Sequence, residues 1–389
     1  MNFTGFSKRT FPLIALFAAS ALSVTAEELT VTTAEELREK LTTKGTLDGN
    51  TVKLGVSPFI LESEPPASEV IVDDPIPRTI VVLANVTVAG TSPADTVLQT
   101  TKNGDAFALA AVTLNFHSMA IAGSGTSSAD ADGRAIYLVG GGLVLSGGIE
   151  FKDRYFSAVP MTAFGASGGA IHSSNKLDKI DANTTAGAIV FSGITTFGNT
   201  FSKTDESTGT TSKTVTPVLG GAVHLAGAMR VSGANGAVFN KNRAVSLESD
   251  AFGGAVYITN VAYAIDGTQS GIYDPNDPVT AGLYGFAIAE SSVSFSQNVA
   301  SGARVIGGAV AVSGGAMMSA GNSSIQFSEN SAKGTGTSVF GGALAVVGSG
   351  VVSFGKGTLL AFSKNTVESS GEFASAGGGG FYLEGSSAE

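Results

Sequence analysis

Residues 307–330 read GGAVAVSGGAMMSAGNSSIQFSEN, and this stretch contains both motifs on which the fold depends. It begins with Gly-Gly-Ala followed by an apolar residue, and it ends with Phe-x-x-Asn. Between the motifs, apolar residues alternate with small or polar ones, as in Val310-Ala311-Val312 and Ile325-Gln326-Phe327. Strict alternation over a short run is typical of a strand with one buried face. The stretch therefore predicts short strands separated by turns.

Both motifs recur along the chain. Intact glycine motifs begin at Gly168-Gly169, Gly220-Gly221, Gly253-Gly254, Gly307-Gly308 and Gly341-Gly342, and degenerate copies begin at Gly133 and Gly378. The second motif runs from Phe239 to Asn242, Phe295 to Asn298, Phe327 to Asn330 and Phe362 to Asn365. Because the two motifs alternate, the chain is a repeat protein, and such repeats bury a continuous core by stacking.

The spacing of the motifs sets the length of the unit. From Gly307 to Gly341 the unit is 341 − 307 = 34 residues. Two longer intervals are expected to carry surface insertions, from Lys203 to Lys213 and from Asp266 to Gly285. Loops on a rigid scaffold are frequent binding sites, so these insertions are candidates for contact with a partner.

The repeat predicts an all-β fold, a right-handed parallel β-helix with three short strands in each unit. Glycine pairs are expected at sharp corners, where positive φ or close backbone approach is required, and the alanine after them is expected beneath the corner. Each Phe should face inward and stack on the Phe of the next unit. Each Asn should lie at a turn and bond to the backbone or to the next Asn.

The region before the clean repeats is expected to cap the solenoid. Thr33 is suited to N-cap a short helix, Glu36 completes a capping box, and Leu37 and Leu41 share one helix face. We predict an N-terminal cap with early coils over residues 27–130, and the repeat β-helix over residues 131–389.

Residues 1–26 have the pattern of a signal peptide. Lys8 and Arg9 precede an apolar run over residues 11–22, and Ala26 is the predicted cleavage site. No later apolar run reaches the roughly 20 residues that a membrane helix needs, so no integral membrane segment is expected in the mature chain. Its formal net charge of −10 becomes −12 without Lys8 and Arg9, which argues against nucleic acid as a partner.

The composition also bears on chemistry. The chain contains no cysteine, which excludes disulfides, thiol nucleophiles and thiolate metal sites. A polysaccharide lyase or hydrolase, the main enzymatic alternative, needs paired carboxylates or a carboxylate-held metal. The acidic pairs here, Asp73-Asp74, Asp178 with Asp181 and Asp274 with Asp277, lie in turn-rich segments. We therefore predict no catalytic residue, no cofactor and no metal site.

One column of residues has a functional alternative. His172 and His224 occupy the same place in their units as Tyr137, Tyr257 and Tyr382. The sequence predicts an outward-facing column that could bind a metal, a glycan or a partner. Cross-strand aromatic stacking explains the same residues without a ligand, and we favour this structural interpretation.

The alternation of Gly-Gly-Ala-(Ile/Leu/Val) with Phe-x-x-Asn in an exported chain resembles the polymorphic outer membrane protein family of Chlamydia. The clean match covers Gly168 to Asn365, and the degenerate copies extend it to Gly133 and Leu383. The resemblance implies an autotransporter-like passenger on the extracellular side of the cell outer membrane. It further implies adhesion to a host-cell surface protein or glycan, a contribution of the motif residues to that adhesion, and association with other envelope passengers.

The chain departs from this family in lacking cysteines and in having no barrel-type strands after Leu383. We expect a truncated passenger, periplasmic if the truncation prevents display. The sequence leaves open a non-adhesive antigenic coat component or a truncated relic.

Overall fold

The fold is described by a computed structural model. It describes residues 27–42, 49–61, 80–100, 106–109, 112–123, 134–138, 141–158, 168–173, 188–204, 217–246, 249–259, 262–263, 269–270, 285–336, 338–371, 375–385 and 387–388. The predicted signal peptide with Ala26 lies outside these residues, as do Gly133 and most of the two predicted insertions.

The described residues of the first half of the chain form one helix and thirteen strands. In order they are β1 (Glu28–Val31), α1 (Ala34–Thr42), β2 (Thr51–Leu54), β3 (Phe59–Leu61), β4 (Ile80–Val82), β5 (Val86–Ala89), β6 (Val97–Thr100), β7 (Phe107–Leu109), β8 (Thr113–Ala122), β9 (Ile136–Leu138), β10 (Gly142–Ala158), β11 (Ile171–Ser173), β12 (Ala188–Ser192) and β13 (Ile194–Thr204).

The second half continues with shorter strands. They are β14 (Val218–Leu219), β15 (Val223–Leu225), β16 (Ala228–Ser232), β17 (Gly236–Asn240), β18 (Arg243–Ser246), β19 (Ala251–Phe252), β20 (Val256–Ile258), β21 (Ala262–Tyr263), β22 (Gln269–Ser270), β23 (Gly285–Ala289), β24 (Ser292–Ser296), β25 (Val299–Gly302), β26 (Val305–Ile306), β27 (Val310–Val312), β28 (Met317–Gly321), β29 (Ser324–Ser328), β30 (Ser331–Gly334), β31 (Ser338–Phe340), β32 (Leu344–Val347), β33 (Val351–Phe354), β34 (Leu359–Ser363), β35 (Thr366–Ser369), β36 (Ser375–Gly377), β37 (Phe381–Glu384) and β38 (Ser387–Ala388).

The fold is all-β with parallel sheets. Equivalent strands of successive repeats pair in parallel, so that Phe239 opposes Phe295 and Phe295 opposes Phe327. Sheet A, the largest, contains β1, β2, β3, β5, β6, β8, β10, β12, β13, β16, β17, β18, β23, β24, β25, β28, β29, β30, β33, β34, β35 and β38. Sheet B contains β4, β7, β9, β11, β15, β20, β27, β32 and β37 in that spatial order, and sheet C contains β14, β19, β26, β31 and β36. Among the described strands, the pair of β21 and β22 is antiparallel.

A complete unit has five strands, and the prediction of three was wrong. From Gly307 the chain passes through β27 in sheet B, then β28, β29 and β30 in sheet A, and then β31 in sheet C. Two non-glycine residues in left-handed conformation, Asn322 (φ 49°) and Glu329 (φ 56°), separate the three strands of sheet A. The sheet C strands are only two or three residues long, too short for alternation to reveal them.

The predicted inward positions form the core. Val310, Val312, Ile325 and Phe327 are all buried and belong to one continuous apolar cluster. The rings of Phe295 and Phe327 are stacked with centroids 4.8 Å apart and planes 7° from parallel. The alternation and the predicted Phe stack are confirmed.

The N-terminal helix is also confirmed. The backbone N–H of Glu36 donates to Thr33 Oγ1 over 3.2 Å, and the Glu36 carboxylate accepts from the Thr33 N–H over 3.3 Å. Leu37 and Leu41 are completely buried against the core. Within the described residues, no helix is long and apolar enough to cross a membrane.

Candidate functional site

The asparagines of the second motif form a buried ladder. Oδ1 of Asn330 accepts from the backbone N–H of Asn298 over 3.0 Å and from its Nδ2 over 2.9 Å. Nδ2 of Asn298 also donates to the carbonyl oxygen of Phe239 in the preceding repeat, over 3.0 Å. The same pattern joins Asn242 to Asn298 and Asn330 to Asn365. Each side chain therefore satisfies buried backbone groups across neighbouring repeats.

The ladder is inaccessible to a partner. Asn242, Asn298 and Asn330 are 0% exposed. The stacked rings continue from Phe151 through Phe197, Phe239, Phe295 and Phe327 to Phe362. These motif residues hold successive repeats together, and the fully buried ones cannot contact a ligand in the folded chain, whereas Phe362 and Asn365 are half-buried.

The glycine motif likewise has a structural role in the backbone. Gly307 has a φ of 75°, in the left-handed region that favours glycine. A Cβ on Gly308 would overlap the carbonyl oxygen of Gly342 in the next repeat. Gly168, Gly220, Gly253 and Gly341 share the positive φ of the first position, and Gly221, Gly254 and Gly342 share the close approach at the second. The alanines after the glycine pairs are buried as predicted, at Ala170, Ala222, Ala255, Ala309 and Ala343.

The ladder position continues upstream with other residues, which the motif search missed. In sheet A, Phe151 opposes Phe197 and Arg154 opposes Thr200, so Arg154 and Thr200 occupy the place of the asparagine. Thr200 Oγ1 donates to Oδ1 of Asn242 over 2.6 Å. Arg154 is buried and donates to Thr100 Oγ1 and to the carbonyl oxygen of Gly169. Each copy has a residue in left-handed conformation two positions after its Phe. This conformation identifies the copies in the structure, but it is not visible in the sequence.

The aromatic column is internal, and the prediction that it faces outward was wrong. His172, His224 and Tyr257 are buried. Leu219 and Ile306 of sheet C, with Phe252 and Phe340, pack on this face of sheet B and cover it. Nδ1 of His172 and Nδ1 of His224 lie 3.0 Å apart, a hydrogen-bonded pair. Burial, with the charge of Arg134, lowers the pKa of His224 to about 3.

The column brings two histidines together, His172 and His224. No group of three or more His, Asp or Glu side chains within the described residues could hold a metal ion. The acidic pairs considered for catalysis, Asp73-Asp74, Asp178 with Asp181 and Asp274 with Asp277, lie outside these residues.

The second motif exposes one of its variable residues. The residue before each Asn has a left-handed φ, 56° at Lys241, Gln297 and Glu329 and 52° at Lys364. Gln297 Nε2 donates to a carboxylate oxygen of Glu329 over 2.9 Å, and Lys364 lies 3.5 Å from that carboxylate. The hydrogen bond from Gln297, followed by the charge of Lys364, lowers the pKa of Glu329. This row varies in charge from repeat to repeat and faces solvent.

A groove lies across sheet A. It has a volume of about 560 Å³ and crosses β17, β24, β29 and β34 near their first residues. Turns of different length shape it, because residues 233–235 and 355–358 form longer turns than residues 290–291 and 322–323 between them. The turns that lead to Gly236 and Leu359 are therefore longer than the two turns between them. We name this feature the turn groove.

The floor of the turn groove carries both apolar and polar side chains, and six of the polar ones have no side-chain partner among the described residues. Its side chains include Glu290, Ser292, Ser294, Asn322, Ser324 and Gln326. None of the six makes a side-chain hydrogen bond or ion pair with another described residue. Ile194 and Leu359, 61% and 70% exposed, lie at the two ends. Sequence analysis missed this site, because it arises from differences in turn length and not from a motif.

Comparison with known proteins gives no relative: no family model, no curated protein and no solved structure matches the chain.

Proposed function

We propose that the chain is a passenger-type adhesin of the outer envelope, and that its parallel sheets wind into a right-handed β-helix. The repeat-to-repeat pairing of equivalent strands supports the solenoid. Right-handed crossover is the rule for parallel strands joined within one sheet. The capping box helix, with Leu37 buried at the first strands, suits the N-terminal end of such a stack.

The single observation that carries the adhesive function is that residues shared by the repeats pack between repeats, whereas residues that differ between repeats face solvent. Contacts between repeats involve the recurrent residues, namely Phe and Asn of the second motif and the glycine pairs of the first. The residues that differ between repeats face solvent, as Lys241, Gln297, Glu329 and Lys364 show. A constant frame that displays a variable surface, with a concave groove built from several repeats, is typical of solenoids that recognise partners.

The location follows from the same proposal. Residues 1–26 direct export, with cleavage after Ala26, and the mature chain is placed on the extracellular side of the outer membrane beside other envelope passengers. The likeness of its motifs to those of the chlamydial family supports this placement. A host-cell surface protein or glycan is the proposed partner. If the chain is not displayed, it is placed in the periplasm.

Binding to cells tests the proposal. We would measure the binding of labelled full chain to epithelial cells, with excess unlabelled chain as competitor and heat-unfolded chain as control. An adhesin gives saturable, competed binding that the unfolded chain lacks. Binding that does not saturate, or that unfolded chain reproduces, would contradict adhesion and favour a passive coat component.

Substitution of the motif asparagines is unsuitable for this purpose. Because Asn298 and Asn330 are buried in the ladder, their loss would reduce binding through the fold whatever the binding surface is. Variants for cell binding should instead change exposed residues of the turn groove.

A further inference from the structure

We infer that the turn groove is a binding site for an uncharged, hydroxyl-rich ligand, namely a neutral oligosaccharide. The inference rests on the proposed function and specifies the class of ligand that the adhesin recognises. Three features of the groove lead to it, namely its shape, its unpaired polar groups and its charge.

The shape suits an elongated small ligand. Ile194 opposes Gly236, which opposes Ser292, and the row continues through Ser324 to Leu359. Four strand spacings separate the ends of this row, a length of about 19 Å. The volume of about 560 Å³ falls in the range of sites for small organic ligands. The middle residues of this row, Gly236, Ser292 and Ser324, are small, so a chain of sugar rings can approach the sheet there.

The hydrogen-bonding groups suit hydroxyls. Ser292, Ser294 and Ser324 each offer one donor and an acceptor, and the amides of Asn322 and Gln326 offer both on separate atoms. A sugar hydroxyl also donates and accepts, so each can be matched by a neighbouring pair of these groups. Since none of these side chains bonds to another described residue, binding breaks no side-chain hydrogen bond within the described part of the chain. Val238 and the exposed ends Ile194 and Leu359 can contact the C–H faces of the rings.

The charge of the groove argues against other ligands. No Lys or Arg lines it, and Glu290 is the one charged lining residue among those described. The net charge of the chain is −10, so sialylated or sulfated glycans would be repelled. A protein partner is less well matched, because protein hot spots use aromatic or Arg anchors in apolar pockets, and no aromatic side chain lines the groove.

The matched variants come from a single strand. Ser324 and Ser328 are half-buried residues on the outer face of β29, but only Ser324 lines the groove. Ser324→Phe should fill the floor, whereas Ser328→Phe adds the same ring outside it. Gln326→Ala removes one unpaired amide without adding bulk. Circular dichroism would establish that each variant retains the β-structure of wild type.

Binding of full chain would be measured by titration with cellotriose, mannotriose, chitotriose, N-acetyllactosamine, 3′-sialyl-N-acetyllactosamine and trilysine. We expect saturable binding of at least one neutral sugar. Ser324→Phe should weaken this binding at least about 10-fold. Gln326→Ala should weaken it about 3- to 10-fold, which corresponds to the loss of one or two hydrogen bonds. Ser328→Phe should leave it unchanged.

Other results would overturn the inference. These are binding of no neutral sugar, equal loss in the two Phe variants, or preference for the sialylated sugar or for trilysine. The last result would indicate a basic protein segment at Glu290.

Cell binding separates failure of the sugar site from failure of the proposed function. Saturable cell binding that Ser324→Phe leaves intact would overturn the sugar site alone, whereas sugar binding without cell binding would overturn the adhesin alone.

Discussion

Nδ2 of Asn298 donates a 2.9 Å hydrogen bond to Oδ1 of Asn330, which lies one repeat further along the chain. The same Nδ2 reaches back to the carbonyl oxygen of Phe239. One buried amide thus links three successive repeats. In a chain without cysteine, this ladder and the Phe stack beside it provide the cross-links that hold repeat to repeat.

Removal of one rung should destabilise the chain strongly. In Asn298→Ala, the carbonyl oxygen of Phe239 and the backbone N–H of Asn242 lose a buried partner. At about 1–3 kcal/mol for each unsatisfied group, we expect a loss of about 3 kcal/mol in the free energy of unfolding. Chemical unfolding followed by circular dichroism measures it. Gln326→Ala, a change at an exposed position on the outer face of β29, should cost less than about 0.5 kcal/mol. Equal effects of the two variants would refute the ladder.

The glycine corner can be tested against open glycines. Gly308→Ala places a Cβ onto the carbonyl oxygen of Gly342, and neither backbone can move without disturbing the next repeat. We expect a loss of about 3 kcal/mol or more, as for other severe overpacking. At Gly321 a Cβ meets nothing within 4 Å, so Gly321→Ala should be neutral or stabilising by up to about 1 kcal/mol. If Gly308→Ala were as mild as Gly321→Ala, the close approach of the corners would be wrong.

The buried histidine pair should make stability sensitive to acid. The pKa of His224 is lowered to about 3 by burial and by Arg134, below an ordinary value of about 6.5. The stability contributed by the neutral ring is therefore complete above pH 6.5 and is lost as the pH falls towards 3. Between pH 6.5 and 5 the expected loss is about 2 kcal/mol, at up to about 1.4 kcal/mol per pH unit.

The double variant His172→Ala/His224→Ala isolates this effect. Ala311 and Ala345 occupy the same column in later repeats, so alanine fits the site. The variant should be less stable at pH 7 and should lose less stability between pH 6.5 and 5 than wild type does. Replacement of the exposed His117 by alanine should keep the wild-type dependence. An unchanged dependence in the double variant would show that the pair is not its source.

The sequence predicted features that repeat with clear chemistry. Alternation placed Phe327 and Val310 inside, and the capping box placed the helix at Thr33. It could not predict sheet C, because Val218-Leu219 and its equivalents are too short to alternate. For that reason the sequence did not predict that sheet C covers the face of sheet B that carries His224. The turn groove was missed because it is lined by turns that differ in length by one or two residues. Such a difference between repeats is a tertiary property with no local sequence pattern.

The register of neighbouring repeats is the central claim, because both the buried ladder and the turn groove depend on it. Ser294 opposes Gln326 in the parallel pair of β24 and β29, and the absence of native cysteine makes an engineered disulfide unambiguous. We would oxidise Ser294→Cys/Gln326→Cys and Ser294→Cys/Ser328→Cys in parallel and quantify cross-linked peptides by mass spectrometry. Offset by two residues, the second pair is separated by about 8 Å, beyond the reach of a disulfide. Efficient cross-linking of the first pair alone is the predicted result, whereas cross-linking of the second pair alone, or of neither, would contradict the fold.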